Sequence, residues 1–188
     1  MKQSFYESVQ QNPIIAAVSD PEKLDRAIDS PADIIFLLGG TIINLMEKIN
    51  RVKAAEKQVY VHLDLLEGFS RDAMALRYIH EAFQPHGVIT TKSNLIKAAK
   101  DMNIFAIQRI FVLDSLSLET AVKSIRSNKP DAVEIMPGIM PKVIRRIRQE
   151  TKATLIAGGL IEEKEDVIES LKAGSSAVSS SNEEIWSM

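Results

Sequence analysis

The sequence predicts a compact (β/α)8 barrel of the TIM type, and three observations carry that prediction. Short β-rich runs recur about every 20 to 25 residues, each is followed by apolar residues at helical spacing, and eight such units fill the 188 residues. That rhythm implies parallel strands joined by crossover helices.

The units are legible in order. IIAAVS from Ile14 reads as the first strand, with Asp20 as a helix cap, Pro21 at the first helical position, and Leu24, Ala27 and Ile28 as the buried stripe. DIIFLLGG from Asp33 is the second, and its helix carries Ile42, Leu45, Met46, Ile49 and Val52 at spacings of three and four. QVYVHLDLLEG from Gln58 is the third strand. GVITTK from Gly87 is the fourth, with Ser93 as the expected cap and Leu95, Ile96 and Ala99 inside. IFAIQRIFVLD from Ile104 is the fifth, and its helix is expected to start near Ser115 or Ser117 and to bury Leu118, Ala121, Val122 and Ile125. DAVEIMPG from Asp131 and TLIAGGL from Thr154 supply the sixth and seventh. SAVSSSN from Ser176 is the eighth and runs into a short EEIW segment, where Trp186 is expected to pack on the barrel. The stretch before Pro13 reads as a polar lead-in to the first strand.

An open doubly wound sheet uses the same units, but it opens with a glycine-rich dinucleotide fingerprint that this first unit lacks. The chain is shorter than the usual barrel range of roughly 200 to 400 residues, so loops must be minimal and some helices cut short. One domain, residues 1–188, is expected, because the length supports one full core and is short for two. The apolar fraction of 45% and charged fraction of 26% argue against disorder and low-complexity classes. Cysteine is absent, which excludes disulfides and thiol chemistry and fits a reducing compartment. No apolar run reaches the roughly 18 residues of a membrane span, so a cytoplasmic protein without membrane contact is expected. The net charge of −2 means that any nucleic-acid contact must rest on a local basic patch.

In such a barrel the working face lies at the C-terminal ends of the strands. There the sequence places His62, Asp64 and Glu67 after the third strand and Lys92 after the fourth. Gln108 and Arg109 lie in the fifth, Asp114 follows it, and Glu134 lies in the sixth. Asp64, Lys92, Arg109 and Glu134 are candidates for holding the hydroxyls of a small polar ligand; alternatively they neutralise one another, Asp64 with Lys92 and Glu134 with Arg109. Glu67 is expected to face solvent. Gly158 and Gly159, after the seventh strand, would let backbone N–H groups approach an anion, and Ser179, Ser180 and Ser181 add hydroxyls before a short final helix. Barrels frequently hold phosphate at this corner, so these five are the candidate phosphate site. The bland alternative is a tight turn and a flexible serine edge.

Enzyme motifs are scarce. His62, His80 and His86 do not match a zinc spacing, no serine lies in a nucleophile elbow, and no cofactor or metal is expected. His80 is expected on an exposed helix face and His86 in a loop. Lys92 is a weak Schiff-base candidate. In PKVIRRIRQETK from Pro141, Val143, Ile144 and Ile147 face inward, while Lys142, Arg145, Arg148 and Lys152 form an outward basic stripe with Arg146 beside it. It is either a solvated face or the best nucleic-acid patch in the chain.

Taken together, VHLDLLEG, GVITTK, IQRIFVLDS, PDAVEIMPG, LIAGGLI and AVSSSNEEIW, in this order and spacing, resemble the glycerol uptake operon antiterminator regulatory proteins over essentially the whole chain. Relatives tend to read AGA and VSTS near the end, where this chain has Ala173-Gly174-Ser175 and Val178-Ser179-Ser180-Ser181; serine for threonine keeps the hydroxyl. The resemblance implies an RNA-binding regulator that responds to glycerol 3-phosphate and acts on the leader mRNA of glycerol-utilisation operons. The alternative is an enzyme on a small phosphorylated polyol or sugar, with Lys92, Asp64 or His62 moving the proton. A third is a partner-binding scaffold whose barrel site is vestigial. The sequence leaves self-association as a homo-oligomer open.

Overall fold

Alternation along each strand decides which side chains enter the barrel and which meet the helices. In the computed structural model, which describes residues 4–188, the strands are β1 (Ile14–Val18), β2 (Ile34–Leu37), β3 (Gln58–His62), β4 (Gly87–Thr90), β5 (Ala106–Phe111), β6 (Ala132–Met136), β7 (Leu155–Gly158) and β8 (Ala177–Ser180). Each pairs in parallel with its sequence neighbours, and β1 closes on β8. The sheet is a closed eight-stranded (β/α)8 barrel, as the periodicity predicts.

Ile15, Phe36, Tyr60, Ile89, Ile107 and Ile156 point inward and fill the interior with one buried cluster. The alternate residues Ala16, Val18, Ile35, Leu37, Val59 and Val61 face outward, onto the helices. Those helices are α2 (Leu24–Asp29), α3 (Leu45–Ala54), α4 (Ala73–Phe83), α5 (Ser93–Asp101), α6 (Ser115–Asn128), α7 (Pro141–Thr151), α8 (Lys164–Lys172) and α9 (Glu183–Trp186), numbered after a first helix, α1 (Phe5–Gln11). The short chain is accommodated as expected, by trimming: α2 has six residues and α9 only four. Trp186, 1% exposed, packs under β8 and donates its indole N–H to the Ser180 carbonyl at 2.6 Å.

Three expectations fail locally. The lead-in contains α1, opened by a capping box in which the Ser4 hydroxyl accepts from the Glu7 N–H and the Glu7 carboxylate accepts from the Ser4 N–H. Its Phe5 and Val9 are buried beneath the barrel floor, Phe5 lying 5.4 Å from Tyr60 and 5.0 Å from Phe105 between ring centroids. The α3 helix starts late because Gly40–Thr41 first pairs with Leu66–Glu67 as a two-stranded bridge, leaving Ile42 and Met46 exposed. Ser93 is the first residue of α5 and not its cap, since Lys92 takes that position without a side-chain bond. The α6 helix starts at Ser115, as expected, behind an Asp114 cap whose carboxylate accepts from the Ser117 N–H. Among the described residues, no helix is long and apolar enough to cross a membrane.

Candidate functional site at the barrel mouth

The C-terminal ends of the strands carry a polar layer above the apolar interior. Arg109 on β5 and Glu134 on β6 are register partners and both point inward. The Arg109 Nε donates to Glu134 Oε2 at 2.6 Å, with the two side chains 7% and 1% exposed. The Ser179 hydroxyl, from β8, donates to the other carboxylate oxygen at 2.6 Å. A buried carboxylate held by a guanidinium and a hydroxyl is a satisfied pair, and breaking it is expensive. The pairing of Glu134 with Arg109 is therefore real. Asp64 instead accepts from the Thr90 hydroxyl and from the Thr91 N–H and hydroxyl, at 2.7 to 2.8 Å, and not from Lys92. Burial works to raise the Asp64 carboxyl pKa, but those three bonds outweigh it and hold the group below its ordinary value.

Gly158 is required by this layer. A Cβ there would lie 2.5 Å from both Glu134 Oε1 and the Ser179 hydroxyl. Gly159 follows with φ +76°, where side chains are strained, and turns the chain over the mouth. Its carbonyl accepts from the Gly138 N–H at 3.0 Å, stitching the loop after β7 to the one that leads into α7. On the far side, the Ser180 hydroxyl donates to the Ile161 carbonyl and accepts from the Asn182 N–H, while the Asn182 side chain caps α9.

Between these loops lies a cavity of about 520 Å³. It brings together Arg109, Glu134, Gly159, Ser179, Ser180 and Ser181 from the predicted residues, and Gly158 forms its back wall through Glu134 and Ser179. Asp64 and Lys92 do not line it; Lys92 sits at the start of α5 and Asp64 braces the loop after β4. Sequence reasoning missed Lys23, which reaches this cavity from the loop after β1, pairs with Glu183 at 3.5 Å and adds a second cation. The signal was available, because closure places the first loop beside the eighth. Leu38, Met136 and Leu160 supply apolar walls.

His62, inward-facing at the top of β3, is 2% exposed, and its Nδ1 has no hydrogen-bond partner. Burial, together with the Arg109 charge, pushes the imidazole pKa down to about 4. His80 is half-buried in α4, and His86 accepts from the Val59 N–H through Nδ1. Among the described residues, no group of His, Asp and Glu is arranged to hold a metal ion.

In the stripe on α7, Ile144 and Ile147 are fully buried and Lys142, Arg145, Arg146, Arg148 and Lys152 all exposed. Arg146 pairs with Glu150 at 2.8 Å, and Arg148 donates to the Ala153 carbonyl at 2.6 Å. Lys152 lies just past the helix end, in a left-handed conformation. Among the described residues, Lys142 and Arg145 have no such ties.

Fold and cavity together define a TIM-type barrel with a mouth sized for a small molecule and lined by two cations, two carboxylates and a glycine-serine corner. The chain belongs to the glycerol-3-phosphate responsive antiterminator family, whose description fits residues 14–186. The glycerol uptake operon antiterminator regulatory protein of Listeria monocytogenes superposes with a TM-score of 0.90 at 31% identity, over 93% of this chain and 95% of that one. An antiterminator-related protein of Thermotoga maritima gives 0.84 at 35%, over 93% and 98%. An uncharacterized Escherichia coli protein, YgcP, is 37% identical over 96% of this chain and 94% of its own length. An aldolase at 13% identity shares the fold alone.

Proposed function

We propose that glycerol 3-phosphate is the effector of this antiterminator and binds in the mouth cavity, and that its occupancy governs binding to the leader mRNA of glycerol-utilisation operons. The observation that carries this reading is the convergence of Lys23, Arg109 and the Gly159 and Ser181 loops on one cavity, in a chain whose family responds to that ligand. The ligand's phosphate would meet the backbone at Gly158 and Gly159 and the hydroxyl of Ser181, which is exposed. Ser179 and Ser180 already spend their protons on Glu134 and Ile161, so their hydroxyls must rotate to serve as donors. Arg109 and Glu134 would take the ligand's hydroxyls, while Asp64 and Lys92 lie outside the cavity and support its rim. The stripe Lys142, Arg145, Arg146, Arg148 and Lys152 would contact RNA phosphates, led by the untied Lys142 and Arg145.

Calorimetry with glycerol 3-phosphate and with glycerol tests the effector, and filter binding of leader RNA with and without it tests the regulator. Binding of both ligands with equal affinity would remove the phosphate assignment. Turnover of glycerol 3-phosphate by the pure protein would favour the phosphopolyol enzyme instead.

A further inference from the structure

A second cavity, of about 570 Å³, opens at the end of β5 between α5 and α6, and its lining is unlike the rest of the helix layer. Outward-facing strand residues elsewhere in that layer are mostly apolar, yet Gln108 points out of β5 into this groove, 3% exposed. Its Nε2 donates to the Ser124 hydroxyl at 2.7 Å and its Oε1 accepts from Asn128 at 3.2 Å, which leaves one N–H and one lone pair of the amide. Thr91 and Ser93 line the α5 side. At the rim stand Phe111, half exposed at the end of β5, and Leu116, 72% exposed in the first turn of α6. They give the polar groove an apolar edge.

Charge says what that surface meets. Residues 92–152 carry 12 Lys and Arg against 6 Asp and Glu, a formal +6, whereas the rest of the chain carries 11 against 19, a formal −8. The basic segment is the α5–α6–α7 side of the barrel, with the groove on it. Lys92 at the cap of α5, Lys97 on α5 and Lys123 on α6 lie on the two elements that wall the groove, and they form no ion pair among the described residues. Lys97 follows Ser93 by four residues and so shares its helix face.

An aromatic platform, an incompletely bonded amide on the floor and unpaired lysines at the edge are what an unstacked base and its phosphates require. We propose that the groove between α5 and α6 holds an unpaired base of the leader RNA, stacked on Phe111 and read by Gln108. Arg109 follows Gln108 on β5 and points the other way, into the mouth cavity, so a ligand that draws its guanidinium acts on the strand that carries both Gln108 and Phe111. This assignment rests on the antiterminator reading above and adds the place and form of the contact.

The test uses full-length protein and leader RNA carrying 4-thiouridine. Ultraviolet cross-linking followed by peptide mass spectrometry is expected to place adducts at the end of β5 and the start of α5. Phe111→Ser is expected to lower leader affinity by about tenfold, and Phe111→Trp to restore it. Tyr78→Ser, an exposed aromatic on α4 that does not line the groove, is expected to leave affinity unchanged. By linkage, glycerol 3-phosphate and leader RNA must tighten or weaken each other by one factor in the wild type, and that factor should fall towards one in Phe111→Ser. Wild-type affinity in Phe111→Ser, with adducts only elsewhere, overturns the groove assignment and leaves the antiterminator reading standing. No binding of leader RNA by the wild type overturns both.

Discussion

His62 shows how one side chain can carry a pH dependence for the whole fold. Its folded pKa is about 4 against an ordinary value of about 6.5. Between those values the unfolded chain binds the proton and the folded one does not, so stability falls as pH is lowered through that window and is flat above it. Across the window the loss is about 3 kcal/mol, and urea denaturation at pH 7 and pH 4.5 should recover most of it. His62→Gln should flatten the profile; an unchanged slope would assign it to another group. Glu134 makes a different prediction. Glu134→Ala leaves the Arg109 charge buried without its carboxylate and should destabilise by about 3 to 5 kcal/mol in the same assay. Glu134→Gln, which keeps an acceptor for Ser179 or Arg109, should cost less.

At the scale of elements, α1 and α7 illustrate packing and charge. Phe5 closes the barrel floor, so Phe5→Ala should cost about 3 to 5 kcal/mol, read as a lower denaturant midpoint with ligand affinity at the mouth unchanged. Loss of ligand binding together with stability would show that floor and mouth are not independent. On α7, Arg146 and Arg148 are held within the protein, which makes Lys142 and Arg145 the informative pair. Replacing both with alanine should flatten the log–log salt dependence of leader binding by about 1.4 if two contacts to single-stranded phosphates are lost. An identical salt slope would make the stripe a solvated face.

For the molecule as a whole, ligand binding to the folded state adds to stability by mass action. At 100 times its dissociation constant glycerol 3-phosphate should contribute about 2.7 kcal/mol, which in a domain of this length raises the Tm by roughly 5 to 10 °C. Glycerol, lacking the phosphate, should give little shift, and an equal shift would move the anchor away from the Gly159 corner. Replacing Gly159 is a poor test by itself, because at φ +76° any side chain brings strain that lowers stability before ligand is added. Ser181→Ala, at an exposed position, removes one hydroxyl donor without that complication.

The sequence by itself determined the barrel, because an alternation of strand and helix periods is a property of neighbouring residues and parallel strands admit few ways to close. It also determined the face where polar groups collect, since Arg109, Glu134 and Ser179 end strands whose inward positions are spaced by two. The α1 helix escaped because its apolar content is only Phe5, Tyr6 and Val9, and its purpose, closing the floor, exists only once Tyr60 and Phe105 are assembled above it. Which polar residues share a cavity was decided by tertiary structure alone. Lys23 and Ser181 are 158 positions apart and meet because the barrel closes, whereas Lys92, one residue past Thr91, turns into a helix start and leaves the Asp64 carboxylate to Thr90 and Thr91. Distance along the chain sets the local bonds, and closure of the sheet sets everything that faces across the mouth.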